Sequence, residues 1–141
     1  MPKFKRNAKA HWEGTVKEGK GKITTESGVL NEQPYSFKIR FEGEPGTNPE
    51  ELIGAAHAGC YTMQLSAFIT EEGFTPNALD TSADVHFEDG AITRVTLKVT
   101  GDIEGMEEDK FITLAEKAKK ECPISKSLNP NIDIQLEASL K

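Results

Sequence analysis

The sequence has few of the residues that carry redox, cationic or metal chemistry. Among its 141 residues are two cysteines, three histidines and three arginines. Two cysteines without a CxxC pair, together with scattered histidines, give no zinc signature. The chain also lacks an excess of positive charge, because its formal net charge is -6. We therefore expect no nucleic acid and no anionic membrane as a partner, since both require a basic face.

Long apolar runs are also missing from the sequence. None approaches the roughly 20 residues that span a bilayer, and the N-terminus lacks the apolar segment of a secretory signal. A cytoplasmic location is therefore expected. Thiols are kept reduced there, so a lone pair of cysteines is more often catalytic, redox-active or simply buried than joined in a structural disulfide.

The pattern of apolar and polar residues predicts an α+β fold with mostly antiparallel sheet, in a single domain that covers residues 1–141. Alternation and turn signals predict strands at 4–13, 23–26, 34–42, 78–87, 91–103 and 132–140. The fourth and fifth strands form a hairpin, because "EDG" lies between them. Helices are predicted from Asn48 to about Glu72 and over 106–121.

The long helix begins in the stretch "NPEELIGAAHAGCY". Asn48 suits the cap, Pro49 suits the first helical position, and the glutamates that follow suit the positive end of the helix dipole. Gly73 ends the helix. Its middle is apolar on nearly all sides and rich in small residues, which predicts a buried helix rather than a surface one. A partner subunit would be one economical way to cover it.

Cys60 lies in the middle of this helix, away from the N-terminus where the positive end of the helix dipole would stabilise a thiolate. A thiol there reacts only if a cation or a base helps it to ionise. His57, one turn earlier on the same face, is the local candidate, although it could equally be a packed core histidine. Glu50 would make the thiol less acidic unless it holds something positive, for which an arginine such as Arg40 is suited. Alternatively, Glu50 is only a dipole residue and each arginine only a surface residue.

Cys122 precedes a proline at the end of the second predicted helix. It is either a small buried hydrophobe or a thiol exposed at a polar helix end. If the two helices pack together, Cys60 and Cys122 could meet. They would then form a peroxidatic and resolving pair, in which a thiolate becomes a sulfenic acid and then a disulfide.

Two stretches, "NPEELIGAAHAGCYTMQLS" and "ECPISKSL", together resemble the OsmC/Ohr family of organic hydroperoxide reductases. The resemblance covers essentially the whole chain and includes the order of strands and helices. It is closest to the OsmC branch, because "FKIRFEG" places Arg40 where that branch has its arginine.

The resemblance implies an OsmC-like fold. Antiparallel sheets would wrap around long central helices in an intertwined homodimer, with the active sites at the interface. Cys60 would be the peroxidatic cysteine and Cys122 the resolving one. Arg40 would stabilise the Cys60 thiolate and Glu50 would position Arg40. No metal, haem or flavin cofactor is implied.

The implied reaction is the reduction of organic hydroperoxides to alcohols in oxidative stress defence. An external dithiol would regenerate the thiols, with a lipoylated protein as one candidate. An apolar pocket would favour alkyl or lipid hydroperoxides, with lining residues such as Phe37, Ile53 or Phe68.

Three other functions are compatible with the same residues. The first is a redox-responsive or small hydrophobic ligand-binding dimer with little turnover. The second is a cysteine hydrolase that uses Cys60 and His57, which is weaker because two residues one turn apart on a rigid helix seldom align and no third group orients them. The third is a stable dimer with two inert, buried cysteines.

Overall fold

The structure is a computed structural model that describes residues 2–141. The chain divides into two compact units, of which the first ends at Pro49 and the second runs from Glu50 to Lys141. The first unit contains β1 (Ala8–Glu13), β2 (Lys20–Thr25), β3 (Gln33–Tyr35) and α1 (Phe37–Phe41). From the unit boundary onward follow α2 (Pro49–Glu71), β4 (Ala78–Glu88), β5 (Ala91–Asp102), α3 (Glu108–Glu121), α4 (Pro123–Leu128) and β6 (Asp133–Leu140).

The first unit is built on an antiparallel sheet with the strand order β1-β2-β3. β1 begins at Ala8, four residues later than the alternation predicts. Trp12 pairs with Gly21 across the sheet, and the rings of Trp12 and Tyr35 lie 5.4 Å apart. A Cβ at Gly21 would come within 2.5 Å of the Trp12 ring, so a glycine is required for this aromatic pair to cover the sheet.

The third predicted strand is wrong over most of its length. β3 ends at Tyr35, and the segment with the cleanest alternation forms the helix α1 instead. Ser36 explains the difference, because its backbone is extended and its Oγ accepts a hydrogen bond from the Ile39 N–H at 3.2 Å, as in an N-cap. Within α1 the rings of Phe37 and Phe41, one turn apart, lie 5.0 Å from each other. Five alternating residues therefore also suit a helix once a cap starts it.

The second unit contains a sheet with the strand order β4-β5-β6. The predicted hairpin is confirmed, since β4 and β5 pair antiparallel and Asp89 and Gly90 turn the chain with φ angles of 50° and 81°. Aspartate and glycine tolerate such left-handed angles. β6 runs parallel to β5, because α3 and α4 carry the chain back across the sheet.

The helices α2 and α3 contribute with β5 to the core of the second unit. The Tyr61 hydroxyl donates a hydrogen bond to the Ala115 carbonyl at 3.0 Å and so ties α2 to α3. Each fully buried large apolar side chain contributes about 1.5–3 kcal/mol. The fully buried members of this core are Tyr61, Leu65, Ile69, Val95, Leu97, Phe111, Ala115, Ala118 and Cys122.

Within the single chain, α2 is buried on one side only. His57, Tyr61 and Leu65 are buried, whereas Met63 is 77% exposed. The chain itself therefore covers one side of the helix that was predicted to be buried, and the exposed side is also apolar. We call the following exposed residues the open face of α2: Ala55, Ala56, Gly59, Met63 and Ala67.

Among residues 2–141, none of the helices combines the length and the hydropathy that a membrane span requires.

Candidate active site

Cys60 is positioned by α2, whose predicted ends are confirmed. The helix starts at Pro49, with acidic residues in its first turn, and stops at Glu71. Gly73, with a φ of 88°, then lets the chain turn away. Cys60 is half-buried at the edge of the buried side of α2, and His57 is fully buried one turn earlier.

Cys122 is positioned by the junction of α3 and α4. Its N–H donates to the Ala118 carbonyl at 2.9 Å, which closes the last turn of α3. Its ψ of 126° is not helical, because Pro123 disfavours a helical conformation in the residue before it. Pro123 then opens α4. Cys122 is fully buried, so its thiol is not exposed at the helix end.

The structure brings the two cysteines together as free thiols. Their side chains are hydrogen-bonded to each other, and the backbone N–H of Ile124 donates to both sulfurs. One short element, α4, therefore orients both sulfur atoms.

The two thiols differ in acidity. Burial raises the pKa of Cys60, the Ile124 N–H offsets this only partly, and the neighbouring Cys122 raises it further. Burial also acts to raise the pKa of Cys122, but hydrogen bonds from the His57 side chain, the Ser125 N–H, the Cys60 thiol and the Ile124 N–H outweigh it and lower the pKa to about 6. At neutral pH the pair therefore holds its negative charge on Cys122, and Cys60 keeps its proton and donates it to that sulfur.

His57 does more than pack in the core. Its Nε2 lies 2.7 Å from the Ser125 Oγ, and both side chains are buried. Its Nδ1 is buried without a hydrogen-bond partner among residues 2–141. Sequence reasoning considered His57 as a partner of Cys60 and did not single out Ser125. The sequence signal that points to Ser125 is its position three residues after Cys122, in the first turn of α4.

Arg40 and Glu50 belong to different units. Arg40 lies in α1, is exposed, and has its guanidinium carbon 5.0 Å from the centre of the Phe41 ring. Glu50 lies in the first turn of α2 and is half-buried. That position agrees with the predicted dipole role of Glu50.

A cavity of about 680 Å³ lies between α2 and the start of β4, and it is lined by residues such as Thr62, Met63 and Leu79. Neither cysteine is among the residues that line it, nor are the three apolar residues expected around a substrate. Of those three, Phe68 is buried in the core with the Lys117 ammonium 4.1 Å from its ring centre.

The chain is similar in sequence to peroxidases and peroxide resistance proteins. The family model described as OsmC-like protein matches residues 41–137. Peroxiredoxin OsmC of Escherichia coli strain K12 is 50% identical over 139 residues, which span 94% of this chain and 97% of that protein. The organic hydroperoxide resistance protein OhrB of Bacillus subtilis strain 168 is 30% identical over 125 residues, which span 83% of this chain and 88% of that protein.

Solved structures show the same fold. The crystal structure of OhrB from Bacillus subtilis has a TM-score of 0.67 at 25% identity and covers 94% of this chain and 98% of its own. An organic hydroperoxide resistance protein from Elizabethkingia anophelis has a TM-score of 0.74 at 24% identity and covers 99% of both chains. The second likeness concerns the fold alone.

Proposed function

The chain belongs to the OsmC family and is a cysteine-based peroxidase, and we propose that it reduces organic hydroperoxides to alcohols with the paired thiols of Cys60 and Cys122. The observation that carries the proposal is the direct contact of two reduced cysteines at the start of α4. The names of the relatives, a peroxiredoxin and an organic hydroperoxide resistance protein, support the same substrate class.

The proposed cycle has three steps. The Cys60 thiolate attacks the terminal oxygen of the hydroperoxide, the O–O bond breaks, and the alkoxide leaves as the alcohol after taking a proton. Cys122 then attacks the resulting sulfenic acid, which gives a disulfide and water. An external dithiol reduces the disulfide by thiol exchange, and a lipoylated protein is one candidate for that dithiol.

The first step requires a cation beside Cys60, because burial raises the pKa of its thiol. We assign this role to Arg40, whose guanidinium would stabilise both the thiolate and the charge that develops on the leaving oxygen. Glu50 would hold the guanidinium in place through a bidentate pair.

A homodimer is part of the proposal. The open face of α2 is apolar and solvent-exposed in a single chain, with Met63 77% exposed. A second copy would remove this face from water and could bring residues of both chains to each active site. We also assign the protein to the cytoplasm, where thiols are kept reduced.

The test is the rate of cumene hydroperoxide loss with excess dithiothreitol, measured for the wild type and Cys60→Ser in parallel, with hydrogen peroxide as the comparison substrate. We expect rapid loss with the wild type alone, and faster loss of the organic peroxide. Cys122→Ser should complete only one turnover before Cys60 is over-oxidised. A wild-type rate equal to that of Cys60→Ser would rule out turnover, and normal cycling by Cys122→Ser would rule out its resolving role.

A second candidate function is a redox-responsive dimer with little turnover. The raised pKa of Cys60 favours it, because a thiol that keeps its proton reacts slowly with peroxide. Slow reduction of the disulfide by every dithiol tried, with a large change in partner binding on oxidation, would support this candidate instead.

A further inference from the structure

A buried polar pair lies beside Cys122 and has no role in the peroxidase cycle as described. His57 is 0% exposed and Ser125 is 2% exposed, and their side chains meet at 2.7 Å although 68 positions separate them in the chain. Burying a polar side chain is costly unless it is hydrogen-bonded, and the Ser125 hydroxyl supplies such a partner to the His57 Nε2.

The groups that face Cys122 limit what this imidazole can do. They are the thiol of Cys60, the His57 side chain and the Tyr61 hydroxyl, of which the last two lie on α2 with Cys60. Tyr61 donates its hydroxyl to the Ala115 carbonyl, and burial raises its pKa, so it neither gives nor takes a proton here. Of these groups, only the imidazole is a side chain that hydrogen-bonds the sulfur and is by type a general base.

We propose that His57 is a catalytic residue of the resolution step and that Ser125 is its positioning residue. The imidazole touches Cys122 and holds it as the thiolate that attacks the oxidised Cys60, and the Ser125 hydroxyl fixes the ring through Nε2. The inference rests on the proposed function, in which Cys122 resolves the sulfenic acid of Cys60.

The step balances without an outside reagent. Cys122 attacks as the thiolate because its proton has already passed to the imidazole, and its sulfur attacks the sulfenic sulfur of Cys60. The S–S bond forms as the S–O bond breaks, and the leaving hydroxide takes the proton from the imidazolium to become water. The sulfur of Cys122 is oxidised and that of Cys60 is reduced. Fast resolution matters because a sulfenic acid that waits is open to irreversible over-oxidation.

The first test is an equilibrium titration in the Cys60→Ser background, which follows the thiolate of Cys122 by its ultraviolet absorbance. With His57 in place we expect a midpoint below the ordinary cysteine value, because the His57, Ser125 and Ile124 hydrogen bonds that lower the pKa remain. His57→Phe should move the midpoint towards about 8.5, the value of an unperturbed cysteine, and His57→Gln, which keeps a donor, should lie between. His86→Phe is the matched control and should leave the midpoint in place. An unchanged midpoint in His57→Phe would overturn the inference.

The second test is the rate of disulfide formation in a single turnover, followed by rapid quenching and mass spectrometry. At pH 6 the fraction of Cys122 present as thiolate should be about 150-fold lower in His57→Phe than in the wild type. A thiolate of higher pKa is about tenfold more nucleophilic, so the rate of resolution should fall by only about tenfold. At pH 9 the variant should resolve at least as fast as the wild type. Its first step, the consumption of peroxide, should not slow.

Equal slowing at both pH values, or slowing of both steps, would indicate a merely structural role and overturn the inference. Ser125→Ala keeps the imidazole. It should shift the titration midpoint and the rate of disulfide formation in the same directions as His57→Phe but by less, which provides a test if His57→Phe does not fold. If the wild type consumes no organic hydroperoxide, the proposed function fails, and the titration still decides whether His57 sets the acidity of Cys122.

Discussion

The charge of the thiol pair lies on the sulfur that does not attack peroxide in the proposed cycle. Cys122 is ionised near neutral pH, and this charge and the burial of Cys60 together raise the pKa of Cys60. A cation at about 4 Å contributes about 4 kcal/mol at a protein surface, which is enough to lower the pKa of a thiol by about three. A well-placed guanidinium therefore acts in the direction that the first step needs, because it stabilises the Cys60 thiolate against the burial that raises its pKa.

At the residue scale, Arg40→Ala should lower kcat/KM for an organic hydroperoxide by about 10²–10³-fold, the usual loss when a donor to a developing oxyanion is removed. Arg40→Lys should recover only part of it, because an ammonium lacks the planar fork. Arg6→Ala is the matched control, since Arg6 is exposed and its guanidinium lies 4.3 Å from the Phe4 ring centre. Equal activities of Arg40→Ala and Arg6→Ala would contradict the assignment.

At the scale of elements, a glycine sets how closely β5 approaches α3. A Cβ at Gly101 would lie 2.6 Å from the Phe111 ring and 3.3 Å from Leu79. Phe111 is fully buried, so its ring has little room to move. Because α3 leads directly to Cys122, this close contact helps to fix the position of the second sulfur.

Gly101→Ala should therefore lower the free energy of unfolding by about 1–3 kcal/mol, the usual cost of overpacking a core. The measurement is a urea denaturation midpoint. Thr93→Ala, at an exposed position of the same strand, should stay within about 0.5 kcal/mol of the wild type. A wild-type midpoint for Gly101→Ala would mean that the Phe111 ring moves aside freely.

Elements with local signals could be predicted from the sequence. The start of α2 at Pro49 and the turn at Asp89 and Gly90 follow from the residues at those points alone. The α1 segment could not, because its alternation suits a strand and only the cap at Ser36 favours the helix. For the candidate site, residue type and family resemblance singled out the two cysteines. The partnership of His57 with a residue 68 positions away depends on how α2 packs against α4.

At the scale of the whole molecule, α2 has two apolar sides and one chain buries only one of them. The open face contains small residues and Met63, with no charged residue to keep it in water. A Cβ added at Gly59 would meet nothing within 4 Å in the chain itself. Small residues of this kind let a second backbone approach closely, which suits the proposed homodimer.

Met63→Lys should disrupt that dimer. In a two-fold symmetric interface each substitution occurs twice, so a loss of about 2 kcal/mol per site amounts to about 4 kcal/mol, or about a 1000-fold weaker Kd. Sedimentation over a dilution series would measure it. Ile112→Lys, on α3 and 38% exposed, is the control and should leave assembly unchanged. If Met63→Lys and the wild type dissociate at the same concentration, the open face is not the interface.

The meeting of Cys60 and Cys122 also affects how durable the protein is. The two residues are 62 positions apart, so a bond between their sulfurs would close a loop that contains all of β4, β5 and α3. Closing a loop of this length restricts the unfolded chain and is worth about 4 kcal/mol in the chain-entropy model. The proposed enzyme would thus resist heat and proteases best when its two catalytic thiols are joined in the disulfide. After an oxidative burst, the oxidised molecules would be inactive but stable, and reduction by a dithiol would restore their activity.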